Sequence, residues 1–309
     1  MFEKLRRSGL GLGMVGVLAF SLTLPATLTA DPVFGAITVG LGRAVLAGPL
    51  AVTVLLIRGQ KLFVPHLLRR LAVVVLGIVI GFPMLTALAL QHVTSPHAAV
   101  VSGLLPAATA GMAVLRAGER PRLSYWIALG FGLTTVIIFA VVQGAGKLHT
   151  SDLAVLLAVV LAGLGYAEGG ALAREYGGWR VICWSLVLAF PLLLPITVVA
   201  GLLHPPVHVT SNAILSLGYL SVVSMFLGFF AWYSGLAKGG IARVGRLQLA
   251  QPVLTLGWSA LLLGERVTPA TSIAAVVVLA TVAIARNAQV KRIDADERAR
   301  PNNWKSPEC

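Results

Sequence analysis

Residues 102–120 and 248–266 are two versions of one segment. Laid over each other at an offset of 146, they share Pro106/Pro252, Thr109/Thr255, Gly111/Gly257, Leu115/Leu261 and the triplet Gly118-Glu119-Arg120/Gly264-Glu265-Arg266. Both copies lie in apolar surroundings, so each belongs to a set of membrane crossings. An odd number of crossings per copy turns the second upside down, and inverted copies place a binding site where they meet near the bilayer midplane.

Hydrophobic residues make up 57% of the 309 positions and charged residues 11%, with a mean hydropathy of +0.89. A soluble domain does not have that balance. Apolar stretches long enough to cross about 30 Å of hydrocarbon as helix recur ten times, at 9–28, 33–57, 70–90, 96–115, 123–143, 152–172, 180–201, 212–236, 247–264 and 268–285. The expected fold is an all-α integral membrane protein of ten transmembrane helices in two inverted five-helix repeats, residues 1–146 and 147–286. A polar cytoplasmic tail follows at 287–309.

The net charge of +13 raises the question of nucleic acid. Its distribution follows topology instead. With a cytoplasmic N-terminus, 21 of the 24 basic residues fall inside, Lys147 and Arg266 outside, and Arg43 within the membrane. This bias predicts both termini in the cytoplasm of a multi-pass protein of the plasma membrane, the bacterial inner membrane, and makes nucleic-acid binding unnecessary. The partners expected are the lipid bilayer and a small-molecule solute, with a homodimer left open.

The two cysteines, Cys183 and Cys309, form neither a disulfide framework nor a metal site. Lys4, Arg6 and Arg7 ahead of an apolar run suggest a secretory signal, but Leu28 stands where cleavage before Asp31 needs a small residue. The run reads as the first spanning helix. Connections are short, with turn signals at Asp31-Pro32, Gly177-Gly178 and His204-Pro205-Pro206, and none holds a soluble domain.

Two five-helix halves, each ending in a Pro-containing helix, Gly-Glu-Arg and a final helix, resemble the drug/metabolite transporter superfamily, in its ten-helix branch with two EamA domains. The resemblance covers about residues 8–286. Tyr166-Ala167-Glu168-Gly169-Gly170 and Gly177-Gly178-Trp179 are similar to one subgroup of that branch. It implies a transporter with two inverted halves and names no substrate.

Arg43 falls about ten residues into the second helix, near the bilayer centre, where a charge costs about 2.5–3.5 kcal/mol on insertion scales. It must face protein or water, either as a site residue or as a tie between helices. Glu168 is the carboxylate expected inside a span, within reach of Arg43 if their helices are neighbours. It is the candidate for proton coupling, against a permanent ion pair or a solvated place beside Arg174.

Gln248, Gln251, Thr255 and Ser259 make one polar stripe at helical spacing. Pro252 frees the carbonyl of Gln248, as Pro106 frees that of Ser102, so Ser102, Thr109 and the stripe either line a central cavity or join helices by polar contacts. Tyr166, Trp184, Trp232 and Tyr233 are candidates to close over a solute, whereas Trp126 and Trp179 fit an interfacial belt. Glu119, Arg120, Glu265 and Arg266 read first as structural and second as a gate.

His204 and His208 have zinc-like spacing, but Pro205 and Pro206 keep them off one helix and no carboxylate joins them. No metal, cofactor or catalytic residue is expected. The sequence therefore predicts a secondary transporter, exporting or exchanging a small metabolite, amino acid or drug-like solute by alternating access, with proton coupling as one option. The alternatives are an uncoupled facilitator or channel, and a membrane enzyme acting on a lipid; the enzyme needs a cluster of acids or histidines at one membrane face, which is missing.

Overall fold

The computed structural model describes residues 9–117, 149–206 and 208–286, with helical positions 127, 130, 131, 134, 135, 137–139, 141 and 142 between them. Seven described helices are long and apolar enough to cross a membrane: α1 (Gly9–Phe34), α2 (Ala36–Ile57), α3 (Pro65–Leu90), α4 (Ser95–Leu115), α5 (Thr150–Tyr176), α6 (Gly178–Leu203) and α7 (Ser211–Gly239). Two shorter apolar helices follow, α8 (Leu247–Leu263) and α9 (Pro269–Arg286). The expected helix at 123–143 is described only at the helical positions above. Glu119, Arg120, Trp126, the boundary at 146 and the tail from 287 lie outside the described residues.

The prolines explain most interruptions. Proline has no N–H, so the carbonyl four residues earlier loses its partner and the helix bends there. Pro25 strips Ser21 in this way, and α1 turns at Leu22. α4 opens into a turn at Gly103-Leu104 just before Pro106, and a 3₁₀ turn at Arg246–Leu249 stands just before Pro252. These two breaks fall at matching places in the repeat. So do two wide, π-type segments, Val75–Gly81 in α3 and Tyr219–Leu227 in α7. The turns after α1 and α5 also match, since Gly35 (φ 79°, ψ 149°) and Gly177 (φ 89°, ψ 142°) adopt one conformation reserved in practice for glycine.

α1 is longer than its apolar run suggests. Asp31-Pro32, read from sequence as a connection, forms part of its last turns, and the chain reverses only at Gly35. A proline so near the end removes one bond and does not stop the helix.

Helix pairing obeys the same symmetry. α3 packs on α5 as α7 packs on α1; α4 on α5 as α8 on α1; and α2 meets α6 while α4 meets α8. Glycines set the first pair of contacts: a Cβ on Gly77 would lie 2.4 Å from the carbonyl oxygen of Leu161, and one on Gly235 would lie 2.7 Å from the backbone nitrogen of Gly13. Backbones at such distances gain dispersion energy in a setting where lipid supplies no hydrophobic drive between helices. Along the C-terminal half of α6, Leu192, Leu194, Val198, Val199, Leu202 and Leu203 are exposed, the surface expected toward lipid.

Candidate functional site

Between the halves lies a small cavity built from both repeats. Its walls are Phe20 and Thr23 of α1, Arg43 of α2, Ile78, Phe82 and Pro83 of α3, Tyr166 of α5, Ser224, Met225 and Phe229 of α7, and Gln251 of α8. Ile78, Ser224 and Met225 belong to the two π-type segments, so the wide turns of both repeats face one space. The cavity measures about 20 Å³, room for one water molecule and for no solute.

Arg43 is buried to 1% exposure. Its Nε donates to the Gly40 carbonyl (3.3 Å) and one terminal nitrogen, Nη2, donates to the Pro83 carbonyl (3.1 Å). It takes part in none of the ion pairs among the described residues. Carbonyl dipoles thus hold the guanidinium at the cavity, while its charge meets no carboxylate directly among the described residues. The acid that acts on it electrostatically is Asp31, which the Asp31-Pro32 turn signal would place in a connection.

Glu168, within reach of Arg43 only if their helices are neighbours, has an ion pair elsewhere. Glu168 pairs with Arg70 on α3, Nε to Oε1 2.5 Å, and the same guanidinium reaches Glu175 through Nη1 at 2.9 Å.

Tyr166, Trp232 and Tyr233 are buried together with Phe20 and Phe229. Ring centroids lie 5.5 Å apart for Tyr166 and Trp232, 4.8 Å for Phe20 and Phe229, and 5.3 Å for Phe229 and Tyr233. The tilted geometries suit the ring quadrupoles. This aromatic layer closes one side of the cavity, with Tyr233 donating from its hydroxyl to the Gly165 carbonyl at 3.3 Å. Trp184 stands apart, its indole N–H donating to the Lys61 carbonyl at 2.8 Å. Trp179 is partly exposed and lies against Arg180, whose guanidinium carbon is 5.1 Å from the ring.

The polar stripe of α8 divides between its two readings. Thr255 donates to the Ser21 carbonyl freed by Pro25 (2.7 Å), Trp258 donates to the Ser21 hydroxyl (3.0 Å), and Ser259 donates to Ser95 (2.9 Å). Those contacts are glue. Gln251 lines the cavity, and its Oε1, both amide atoms of Gln248 and the Ser102 hydroxyl are buried without a protein partner among the described residues. Across the cavity Thr23 and Ser224 share a hydrogen bond of 2.8 Å. Thr109 is satisfied within its own helix by the Leu105 carbonyl.

Of the two triplets, the second is described. Glu265 Oε1 accepts from the Ser95 backbone N–H at 3.3 Å, at the start of α4, where a negative charge suits the positive end of the helix dipole. Burial pushes its carboxyl above the usual glutamate value, and the bonds from Ser95 and Ser259 offset part of that. Arg266 is exposed. At the same end His97 Nε2 stands 2.7 Å from Asp152 Oδ1, tying α4 to α5. Among the described residues no group of three or more His, Cys, Asp or Glu could hold a metal, and His204 and His208 are both exposed.

The model of the EamA-like transporter family matches residues 7–141 and 149–286. The chain is 47% identical over 277 residues, 89% of its length and 95% of the relative's, to the uncharacterized transporter YdeK of Bacillus subtilis (strain 168). A shorter match, 32% identical over 103 residues, covers 32% of this chain and 34% of a probable amino-acid metabolite efflux pump of Escherichia coli (strain K12). A protein of known crystal structure shares the fold with a TM-score of 0.62 at 19% identity, covering 90% of this chain and 98% of that one.

Proposed function

The chain belongs to the EamA-like transporter family, and from that premise we propose that it carries a small metabolite bearing a carboxylate, an amino acid or a close derivative. The observation that carries this reading is Arg43, a buried guanidinium on a cavity between the halves, held by carbonyls and paired with no acid among the described residues. A planar fork of donors matches a carboxylate in two bonds, and in a low-dielectric site such a pair is strong and specific. Phe20, Phe82, Met225 and Phe229 offer the apolar wall that a side chain would rest on, and Thr23, Ser224 and Gln251 offer polar contacts. The partial match to a probable amino-acid metabolite efflux pump points the same way.

A cavity of about 20 Å³ must widen to admit such a solute, so transport proceeds by the halves opening alternately to each side. The bends before Pro25, Pro106 and Pro252 and the two wide turns are places where helices yield without losing further hydrogen bonds. With positive-inside orientation, both termini lie in the cytoplasm of the bacterial inner membrane. The test is uptake by liposomes holding the purified chain, offered a panel of amino acids and their amides. Carboxylates are expected to be transported and amides rejected; equal transport of both contradicts the assignment of Arg43.

A further inference from the structure

Asp31 is 6% exposed, and both of its carboxylate oxygens are buried without a protein hydrogen-bond partner among the described residues. It sits four residues before the Gly35 turn, and Arg43 eight residues after it. By helical rise the two lie about 6 and 12 Å below that turn, on adjoining arms of one hairpin. Asp31 therefore stands between the membrane face at Gly35 and the cavity that Arg43 lines.

The outer half of α1 packs against α2, α3, α4, α7 and α8. Their titratable or charged groups on that side are few. His97 on α4 is bonded to Asp152, Tyr219 on α7 donates to the Ala19 carbonyl, and Glu265 beyond α8 is bonded to Ser95. His66, Arg69 and Arg70 stand at the far end of α3. Among the described residues, the charge that acts on Asp31 is Arg43.

We propose that Asp31 is the proton-binding site of this transporter, and that it exchanges its proton according to whether Arg43 is free or holds a solute carboxylate. An ionised carboxylate buried away from water is costly, by several kcal/mol even after relaxation. The Arg43 charge relieves that cost only while the charge is free. Once a solute carboxylate sits on the guanidinium, Asp31 faces a neutralised partner and takes up a proton. One proton thus enters with each carboxylate, and the loaded site carries no added charge. This rests on Arg43 as the solute anchor.

The test needs no solute, so it fails separately from that anchor. Infrared titration of the full chain in lipid nanodiscs reads the carbonyl stretch of a buried protonated carboxyl. The parent and Asp31→Glu are expected to show the band and Asp31→Asn to lack it. In Arg43→Gln the band should persist to pH values about 1 to 3 units higher, the usual influence of one nearby opposite charge. Should the Asn variant not fold, isotope labelling of aspartate carboxyls in the parent identifies the band instead. A parent spectrum without a protonated aspartate at any pH at which the protein is folded, or a band indifferent to Arg43, overturns the proposal.

Discussion

Arg70 on α3 and Glu168 on α5 tie the first repeat to the second, Nε to Oε1 2.5 Å. Glu168 is buried, while Arg70 keeps 34% of its side chain exposed and holds Glu175 as well. Water reaches the pair from the arginine side and screens it, so its worth is that of a half-exposed bridge, about 1 kcal/mol. The pair works as a clasp between halves.

Glu168→Gln is therefore expected to fold, to lose about 1 kcal/mol of stability and to retain accumulation driven by a pH gradient. Asp31→Asn is expected to lose that accumulation while still exchanging solute. Parallel assays in liposomes separate the two acids; loss in the Gln variant and retention in the Asn variant would reassign coupling to Glu168.

The glycine contacts give a purely structural prediction. A methyl on Gly77 meets the Leu161 carbonyl at 2.4 Å and the Gly165 Cα at 2.9 Å, both backbone atoms that no side-chain rotation can clear. Gly77→Ala should cost about 1 to 3 kcal/mol, the usual range for overpacking. Gly218→Ala, whose new methyl meets nothing within 4 Å, should be close to neutral. Thermal denaturation in detergent ranks them, and an equal effect at both positions argues against close backbone packing at Gly77.

Glu265 supplies a pH dependence. Burial raises its carboxyl above the ordinary value of 4.5, with the Ser95 and Ser259 bonds opposing. A raised acid binds its proton more tightly folded than unfolded, so its contribution to stability is full below the ordinary value and is lost as pH rises through the folded one. The parent should lose more stability than Glu265→Gln between mildly acid and neutral pH. Parallel melting curves for the two would remove Glu265 as the cause.

Much of this architecture was readable from residues. The matched prolines and Gly-Glu-Arg triplets marked the repeat, and the structure interrupts both helices just before those prolines, because a missing N–H acts locally whatever surrounds it. Arg43 announced itself by its cost. Asp31 was hidden by its neighbour: Asp-Pro signals a turn, yet Pro32 falls in a final helical turn where the lost bond matters little. Arg70 read as one more inside charge, since a count of basic residues cannot tell which of them folds back onto a neighbouring helix. The wide turns in α3 and α7 had no signature, as hydrogen-bond spacing within a helix depends on packing against other helices.

Orientation is open to direct measurement. Reporters fused after Arg70 and Lys238 are expected to register the cytoplasm, and those after His208 and Arg266 the outer side. A cytoplasmic signal after Arg266 would break the inverted arrangement.

The account turns on Arg43 as the group that receives the solute. Its most direct test is exchange of a transported amino acid across liposomes by the parent, Arg43→Lys and Arg43→Leu, each first shown to be folded by its melting curve. Lysine keeps the charge without the fork and should leave exchange slow but present; leucine should abolish it. Exchange by the leucine variant at the parental rate would contradict the account.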